Sequence, residues 1–181
     1  MQDLPVFPLF PDPIREKVFE PSREPCAVCG QARGTLYTGP QYGVGGRINV
    51  CPWCIADGSA GKKGRSFNDE LRFFDSSLKP LVPADDAVLV NFRTPGYTTW
   101  QGNQWLHCCG RAAIYLGEAD TEDLRGRWAS AVPSLWNDAK PGWAEKDKDG
   151  FIDRIERGGS PAVYVFKCQV CSKLQAYWDC D

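Results

Sequence analysis

The most regular apolar pattern in this chain lies near its C-terminus. Residues 162–167 alternate as a strand, Cys168-Gln169-Val170-Cys171 reads as a tight turn, and residues 174–178 form a second strand. Together they predict a hairpin with a two-cysteine knuckle at its tip. Upstream, residues 112–116 are apolar and β-prone and end at Gly117. Asp120 or Thr121 then caps an expected helix through Ala131, with Leu124 and Trp128 spaced i,i+4 on its apolar side. A second helix is expected over 143–157, with Phe151, Ile152 and Ile155 as its buried face and Gly158-Gly159 as its stop.

The first half is less periodic. Six prolines in the first 25 residues predict an irregular, extended lead-in. Short β-prone pieces occur at 35–37 and 47–50, and residues 67–74 have helical potential, with Leu71 and Phe74 on one face. Pro83-Ala84-Asp85-Asp86 resembles a helix start with acids at the positive end of the dipole, but residues 87–92 would be called a strand by propensity. The type of that element stays open, and Thr94-Pro95-Gly96 ends it.

Composition narrows the class. Hydrophobic residues make up 43% of 181, enough to build a core, and no stretch approaches 18 consecutive apolar residues, so no membrane span is expected. The N-terminal stretch lacks a basic region and carries four prolines, unlike a secretory signal, so a reducing cytoplasm is the expected compartment. There the nine cysteines favour metal or redox chemistry over disulfides, and an odd count fits disulfides poorly.

Six of these cysteines form three C-x-x-C pairs. Cys26/Cys29 and Cys51/Cys54 are separated by a 21-residue spacer, close to the usual range for a four-sulfur Zn²⁺ site. Four sulfurs leave no coordination position for water, so this site is expected to be structural. The third pair, Cys168/Cys171, needs ligands from His107, Cys108, Cys109 or Cys180. Cys108 with Cys109 is the preferred set, because a sharp turn at Gly110 lets adjacent cysteines reach one ion; Cys180 or His107 is the fallback. The expected cofactor is therefore two Zn²⁺ ions, held by Cys26, Cys29, Cys51 and Cys54, and by Cys108, Cys109, Cys168 and Cys171.

Sharper chemistries find less support. Val50-Cys51-Pro52-Trp53-Cys54 looks like a glutaredoxin-type redox motif, but Ala56-Asp57-Gly58-Ser59-Ala60-Gly61 is a poor helix to follow it. Pro25-Cys26-x-x-Cys29 matches half of a zinc deaminase signature, and nothing upstream supplies the other half. A single histidine rules out His-Glu-x-x-His metalloproteases. No catalytic constellation emerges, and the chain leans away from being an enzyme. The net charge is −2, and two tetrathiolate Zn²⁺ centres at −2 each would bring it to about −6. An anionic protein is a poor nucleic-acid binder, and the one basic run, Lys62-Lys63-Gly64-Arg65, reads as a solvated loop. Trp100 and Trp105, with Tyr97, could line a recognition surface, though packing is the commoner use of such side chains.

Several blocks carry a family resemblance. These are Phe10-Pro11-Asp12-Pro13-Ile14, Tyr37-Thr38-Gly39-Pro40, Cys51-Pro52-Trp53-Cys54-Ile55-Ala56-Asp57-Gly58-Ser59-Ala60, Arg93-Thr94-Pro95-Gly96-Tyr97 and Tyr164-x-Phe166-x-Cys168-x-x-Cys171. Together they resemble the CbrC (UPF0167) family, cytosolic bacterial proteins linked to colicin E2 tolerance. The family has His-Cys where this chain has Cys108-Cys109, which implies Cys108 as the replacement ligand. The resemblance also implies protection against a protein toxin.

The sequence thus predicts an α+β protein: small zinc-ribbon and knuckle elements joined to a mixed helix-and-hairpin domain. One domain of this type is expected over 1–181, with a zinc module over 1–61, a mixed α/β middle over 62–161 and a zinc hairpin over 162–181. The expected partner is a basic nuclease toxin domain, met by acids such as Asp120, Glu122, Asp123, Glu145, Asp147 and Asp149. A zinc hydrolase with one open metal site and a nucleic-acid-binding zinc protein are the alternatives.

Overall fold

In a computed structural model of the chain, the described residues are 3–69, 73–137 and 142–181, without the side chains of Trp143 and Glu145. Among the described residues, three small antiparallel sheets are joined by short helices. Strands β1 (Phe19–Pro21) and β2 (Thr35–Tyr37) pair with each other. Helices α1 (Pro52–Ala56), α2 (Ser59–Lys62) and α3 (Ala84–Arg93) follow. A two-residue hairpin, β3 (His107–Cys108) with β4 (Arg111–Ala112), leads into β5 (Ile114–Ala119). Then come α4 (Thr121–Arg125), a 3₁₀ segment over Ala129–Trp136, α5 (Gly142–Lys146), α6 (Lys148–Ile152) and the strands β6 (Ala162–Lys167) and β7 (Leu174–Asp179).

Strands β5, β6 and β7 form the central sheet, in that order, and its two faces pack into two separate cores. Because β6 is covered on both sides, its apolar run is nearly continuous. Tyr164 and Phe166 point to one core, where Tyr97 stacks on Tyr115 at 4.0 Å and donates to or accepts from the Tyr177 hydroxyl at 3.0 Å. Val163 and Val165 point to the other, built from α4, α6 and the 3₁₀ segment, with Leu124, Leu135 and Phe151 buried in it. The outer edge of β7 is closed by Ser134, whose hydroxyl accepts from the Ala176 N–H at 2.7 Å.

Several local expectations are corrected. Gly117 does not end a strand: it sits at a bulge inside β5 with φ of 128°, a conformation that only glycine adopts without strain. A Cβ there would meet Arg15 and Glu16 at 2.5 Å, so the missing side chain also makes room for the N-terminal arm. The open element at 84–93 is helical, burying Asp86 and Val90, one turn apart, and Asn91 beside them. It ends where Thr94, preceding Pro95, is forced into extended backbone. Asp120 caps α4, accepting from Asp123 N–H, but the helix stops at Gly126 and continues as 3₁₀ around Pro133. The helix expected over 143–157 is two short helices, because Asp147 caps a fresh start by accepting from Gly150 N–H.

No strand forms at 47–50. The Gln41 amide instead clamps both backbone groups of Ile48, at 2.9 and 3.2 Å, doing the work of a strand neighbour. Of the expected helix at 67–74, residues 67–69 are not helical, and Leu71 lies outside the described residues. Arg65 is not solvated: it is buried, and its guanidinium donates to the carbonyls of Val44 and Gly46. Among the described residues no helix is long and apolar enough to cross a membrane.

The N-terminal arm is tied down by a buried carboxylate. Glu16 accepts from the Tyr115 hydroxyl (2.9 Å), the Glu118 N–H (3.0 Å) and the Arg157 guanidinium (2.9 Å). Sequence reading missed this network, since one Glu in a polar stretch carries no local signal.

Candidate metal centres

Two groups of four sulfurs converge. Cys26, Cys29, Cys51 and Cys54 form the first and Cys108, Cys109, Cys168 and Cys171 the second; in each, all four sulfurs lie within 4.8 Å of one another. Among these sulfurs, Cys26–Cys54 and Cys29–Cys51 lie 3.9 Å apart, Cys108–Cys109 3.7 Å and Cys108–Cys171 3.8 Å. A tetrahedral ion with metal–sulfur bonds of about 2.3 Å puts its ligands about 3.8 Å apart. The donor sets therefore have the size and the chemistry of tetrathiolate sites, and each could hold one metal ion. All nine cysteines are free thiols.

The two sites share one building block. In Cys26–Cys29 and Cys168–Cys171 the first cysteine's N–H reaches the carbonyl five residues on, Cys26 to Gln31 at 3.0 Å and Cys168 to Lys173 at 2.9 Å. Its sulfur accepts from the N–H two residues on, Val28 at 3.4 Å and Val170 at 3.3 Å. The residue after the second cysteine is left-handed in both, Gly30 at φ 73° and Ser172 at φ 59°. This closes a tight loop that aims both sulfurs the same way.

The other half differs between the sites. Cys51 is the N-cap of α1, with Pro52 as the first helical residue, so Cys51 and Cys54 project from one helical turn. A helical turn thus starts at Cys51, but it stops at Ala56 and Asp57-Gly58 interrupts it before the four-residue α2, so the expected poor helix over 56–61 is what forms. Cys29 Sγ, 3.9 Å from Cys51 Sγ, joins the motif to the four-sulfur group. In the second site Cys109 (φ 52°) and Gly110 (φ 68°) are the two loop residues of the β3–β4 hairpin, both left-handed as a type I′ turn requires. The sharp turn thus begins at Cys109 itself, which brings two adjacent sulfurs to the same knuckle.

Neither fallback ligand belongs to the second group. His107 pairs with Ala112 across the hairpin, and Cys180 lies at the end of β7, where its carbonyl accepts from the Gln101 amide at 2.9 Å.

Backbone donors pre-set the charge of each knuckle. Burial pushes the Cys26 thiol up, but N–H groups of Cys29, Cys51 and Val28 outweigh it and hold it at about 7. The Cys171 and Val170 N–H groups hold Cys168 at about 6. Burial drives Cys51 up to about 11 and Cys54 further, while its sulfur neighbours, Cys168 foremost, raise Cys108 to about 12. Each cluster thus holds one thiol lowered toward the thiolate beside others, Cys51, Cys54 and Cys108, that are raised, so metal binding there would release protons and strengthen as pH rises.

Helix α3 connects the two sites. Near its start, Asp86 accepts from Arg111 Nε and Nη2, both at 2.7 Å, and from Ala112 N–H at 2.9 Å, which fixes β4. At its end, Arg93 Nε donates to the Ala56 carbonyl at the close of α1, at 2.9 Å. This clamp was invisible in the sequence, because its partners are 25 residues apart in an element of ambiguous type.

The fold and sites define an α+β protein with two four-cysteine clusters that could each hold a metal ion. A family model described as "Uncharacterised protein family (UPF0167)" matches residues 4–180, and the chain belongs to that family. It is 37% identical over 181 residues to UPF0167 protein PA1536 of Pseudomonas aeruginosa, covering 98% of this chain and 97% of the relative. It is 35% identical over 182 residues to UPF0167 protein Mb2317 of Mycobacterium bovis, covering 98% and 94%. UPF0167 protein MT2352 of Mycobacterium tuberculosis matches to the same extent. No solved structure matches the chain.

Proposed function

We propose that this protein is a non-enzymatic, zinc-stabilised interaction protein of the bacterial cytoplasm. The observation that carries the reading is that each cluster closes with four sulfurs. A tetrathiolate ion is coordinatively saturated, so it has no position from which to activate water or polarise a substrate. Soft thiolates in a tetrahedral array suit Zn²⁺, which brings no redox chemistry of its own. Filled sites would tie together segments distant in the chain, and the second would hold the β3–β4 hairpin against the Cys168–Cys171 knuckle.

The finer part of the proposal is tolerance to a basic nuclease toxin, supported by the resemblance to the CbrC family and by the charge of about −6 with both sites filled. Not all the acids first considered for that contact are available to it. Asp123 is buried and paired with Arg15 and Arg127, Asp120 and Asp147 are occupied as helix caps, and the side chain of Glu145 lies outside the described residues. Glu122 and Asp149 are exposed.

Native mass spectrometry and elemental analysis of purified protein test the metal reading: two zincs per chain are expected. X-ray absorption should show four sulfurs per zinc, and three sulfurs with one oxygen would instead support the hydrolase alternative. Expression in cells challenged with nuclease toxins tests the tolerance reading, which fails if no survival gain appears.

A further inference from the structure

The two centres differ sharply in how far they are covered. In the first, Cys26, Cys51 and Cys54 are 1%, 0% and 3% exposed, and only Cys29 reaches solvent. In the second, Cys109 and Cys171 are exposed, Cys108 is half-buried and only Cys168 is covered. The first also sits inside the larger core, with Val50 and Ile55 around it. The second sits at the tips of two hairpins, one of which has only two residue pairs.

From this contrast we infer that the second centre is a site of oxidative thiol modification, at which a peroxide-class oxidant joins Cys108 to Cys171 and frees the bound ion, while the first centre stays intact. The inference rests on the proposal that both clusters hold Zn²⁺. Thiol oxidation follows thiolate character and access; with an ion bound, all four sulfurs of either centre are thiolates, so access decides, and the second centre exposes two sulfurs and half-exposes a third where the first exposes one. Cys108 and Cys171 lie 3.8 Å apart on different hairpins, so a short movement closes their bond. Joining Cys108 to its neighbour Cys109 would instead require a strained eight-membered ring.

The step balances. A Cys108 thiolate attacks the peroxide: an S–O bond forms, the O–O bond breaks and hydroxide leaves. The Cys171 thiolate then attacks that sulfur: the S–S bond forms, the S–O bond breaks and a second hydroxide leaves. The two sulfurs give up two electrons, the peroxide takes them, and both hydroxides collect protons from solvent. A dication left with two thiolates is no longer held, and the short hairpin loses its tie to the knuckle. Its remaining anchors are the Asp86 clamp and the Gln169 amide, which donates to the Ala112 carbonyl at 2.7 Å. A thiol reductant with zinc should reverse the change.

The test treats the full chain, first weighed by native mass spectrometry, with hydrogen peroxide and a colorimetric zinc chelator. One of two zincs should be released at least about tenfold faster than the other, and alkylation followed by peptide mapping should find a Cys108–Cys171 disulfide with Cys26, Cys51 and Cys54 still reduced. A Cys180→Ser variant should behave identically, which excludes relay through that thiol. Simultaneous release of both ions, or a first disulfide among Cys26, Cys29, Cys51 and Cys54, overturns the inference while leaving the metal reading intact. A starting mass with no metal sinks the metal reading instead, and the mapping of the first disulfide still decides which thiols react.

Discussion

Glu16→Ala isolates what the N-terminal arm contributes. The Glu16 side chain is 5% exposed, and its carboxylate satisfies the Tyr115 hydroxyl, the Glu118 N–H and the Arg157 guanidinium at 2.9–3.0 Å. Removing it leaves Tyr115, itself 1% exposed, with no acceptor in reach of water, and strips the Glu118 N–H at the bulge. Each orphaned buried donor costs about 1–3 kcal/mol. Arg157, 29% exposed in its side chain, recovers part of its loss from solvent. The sum is about 3–5 kcal/mol, a third or more of the roughly 5–15 kcal/mol that holds a typical domain. Urea unfolding of the zinc-loaded protein, followed by tryptophan fluorescence, should show a lower midpoint with an unchanged slope. In a Tyr115→Phe background the penalty should shrink by about 1–3 kcal/mol, since one orphan donor is already gone. Both ions should remain bound, because the network is separate from either cluster. A Glu16→Ala penalty below about 1 kcal/mol would refute the claim that this carboxylate anchors the arm.

Three further outcomes follow from particular residues. Gly117→Ala should cost about 2–4 kcal/mol by the same unfolding measurement, because φ of 128° strains any side chain and the new methyl would sit 2.5 Å from Arg15 and Glu16. Asp86→Asn should weaken zinc binding at the second centre about tenfold and leave the first unchanged in chelator competition, as loss of a positioning hydrogen bond behind a ligand does. The Arg111 hydrogen bond holds the Asp86 carboxyl below the usual carboxylate range, so its contribution is fully present above about pH 4 and is lost only as pH falls through the depressed value. The Asp86→Asn penalty should therefore stay flat between about pH 6 and 8, and a penalty that varies there would contradict the assignment. Cys51→Ser should lower the bound metal to one zinc per chain and expose the N-terminal module to protease, whereas Cys180→Ser should retain two.

The cysteine spacing alone marked the first four-sulfur group and half of the second, because a C-x-x-C pair needs only its own backbone to aim two sulfurs together. The β6–β7 hairpin was equally legible, since period-two alternation and a local turn are short-range signals. Helix α3 was not: residues 87–92 prefer strand, and what makes them helical is burial of Asp86, Val90 and Asn91 against other parts of the chain. The strand expected at 47–50 failed for the related reason that Gln41, seven residues before Ile48, satisfies both backbone groups of that residue.

The second site divides in the same way. Sequence limited its remaining ligands to His107, Cys108, Cys109 and Cys180, and it flagged the turn that adjacent cysteines would need. Only the tertiary arrangement chose Cys108 and Cys109, by placing a left-handed turn of one hairpin against the knuckle of another and leaving Cys180 at the far end of β7. Spacing fixes which sulfurs can act as a pair, because a few bonds connect them. Which pairs meet, and how much of each is left open to solvent, depends on contacts between segments 60 or more residues apart, such as Cys108 with Cys171, and no local pattern encodes those.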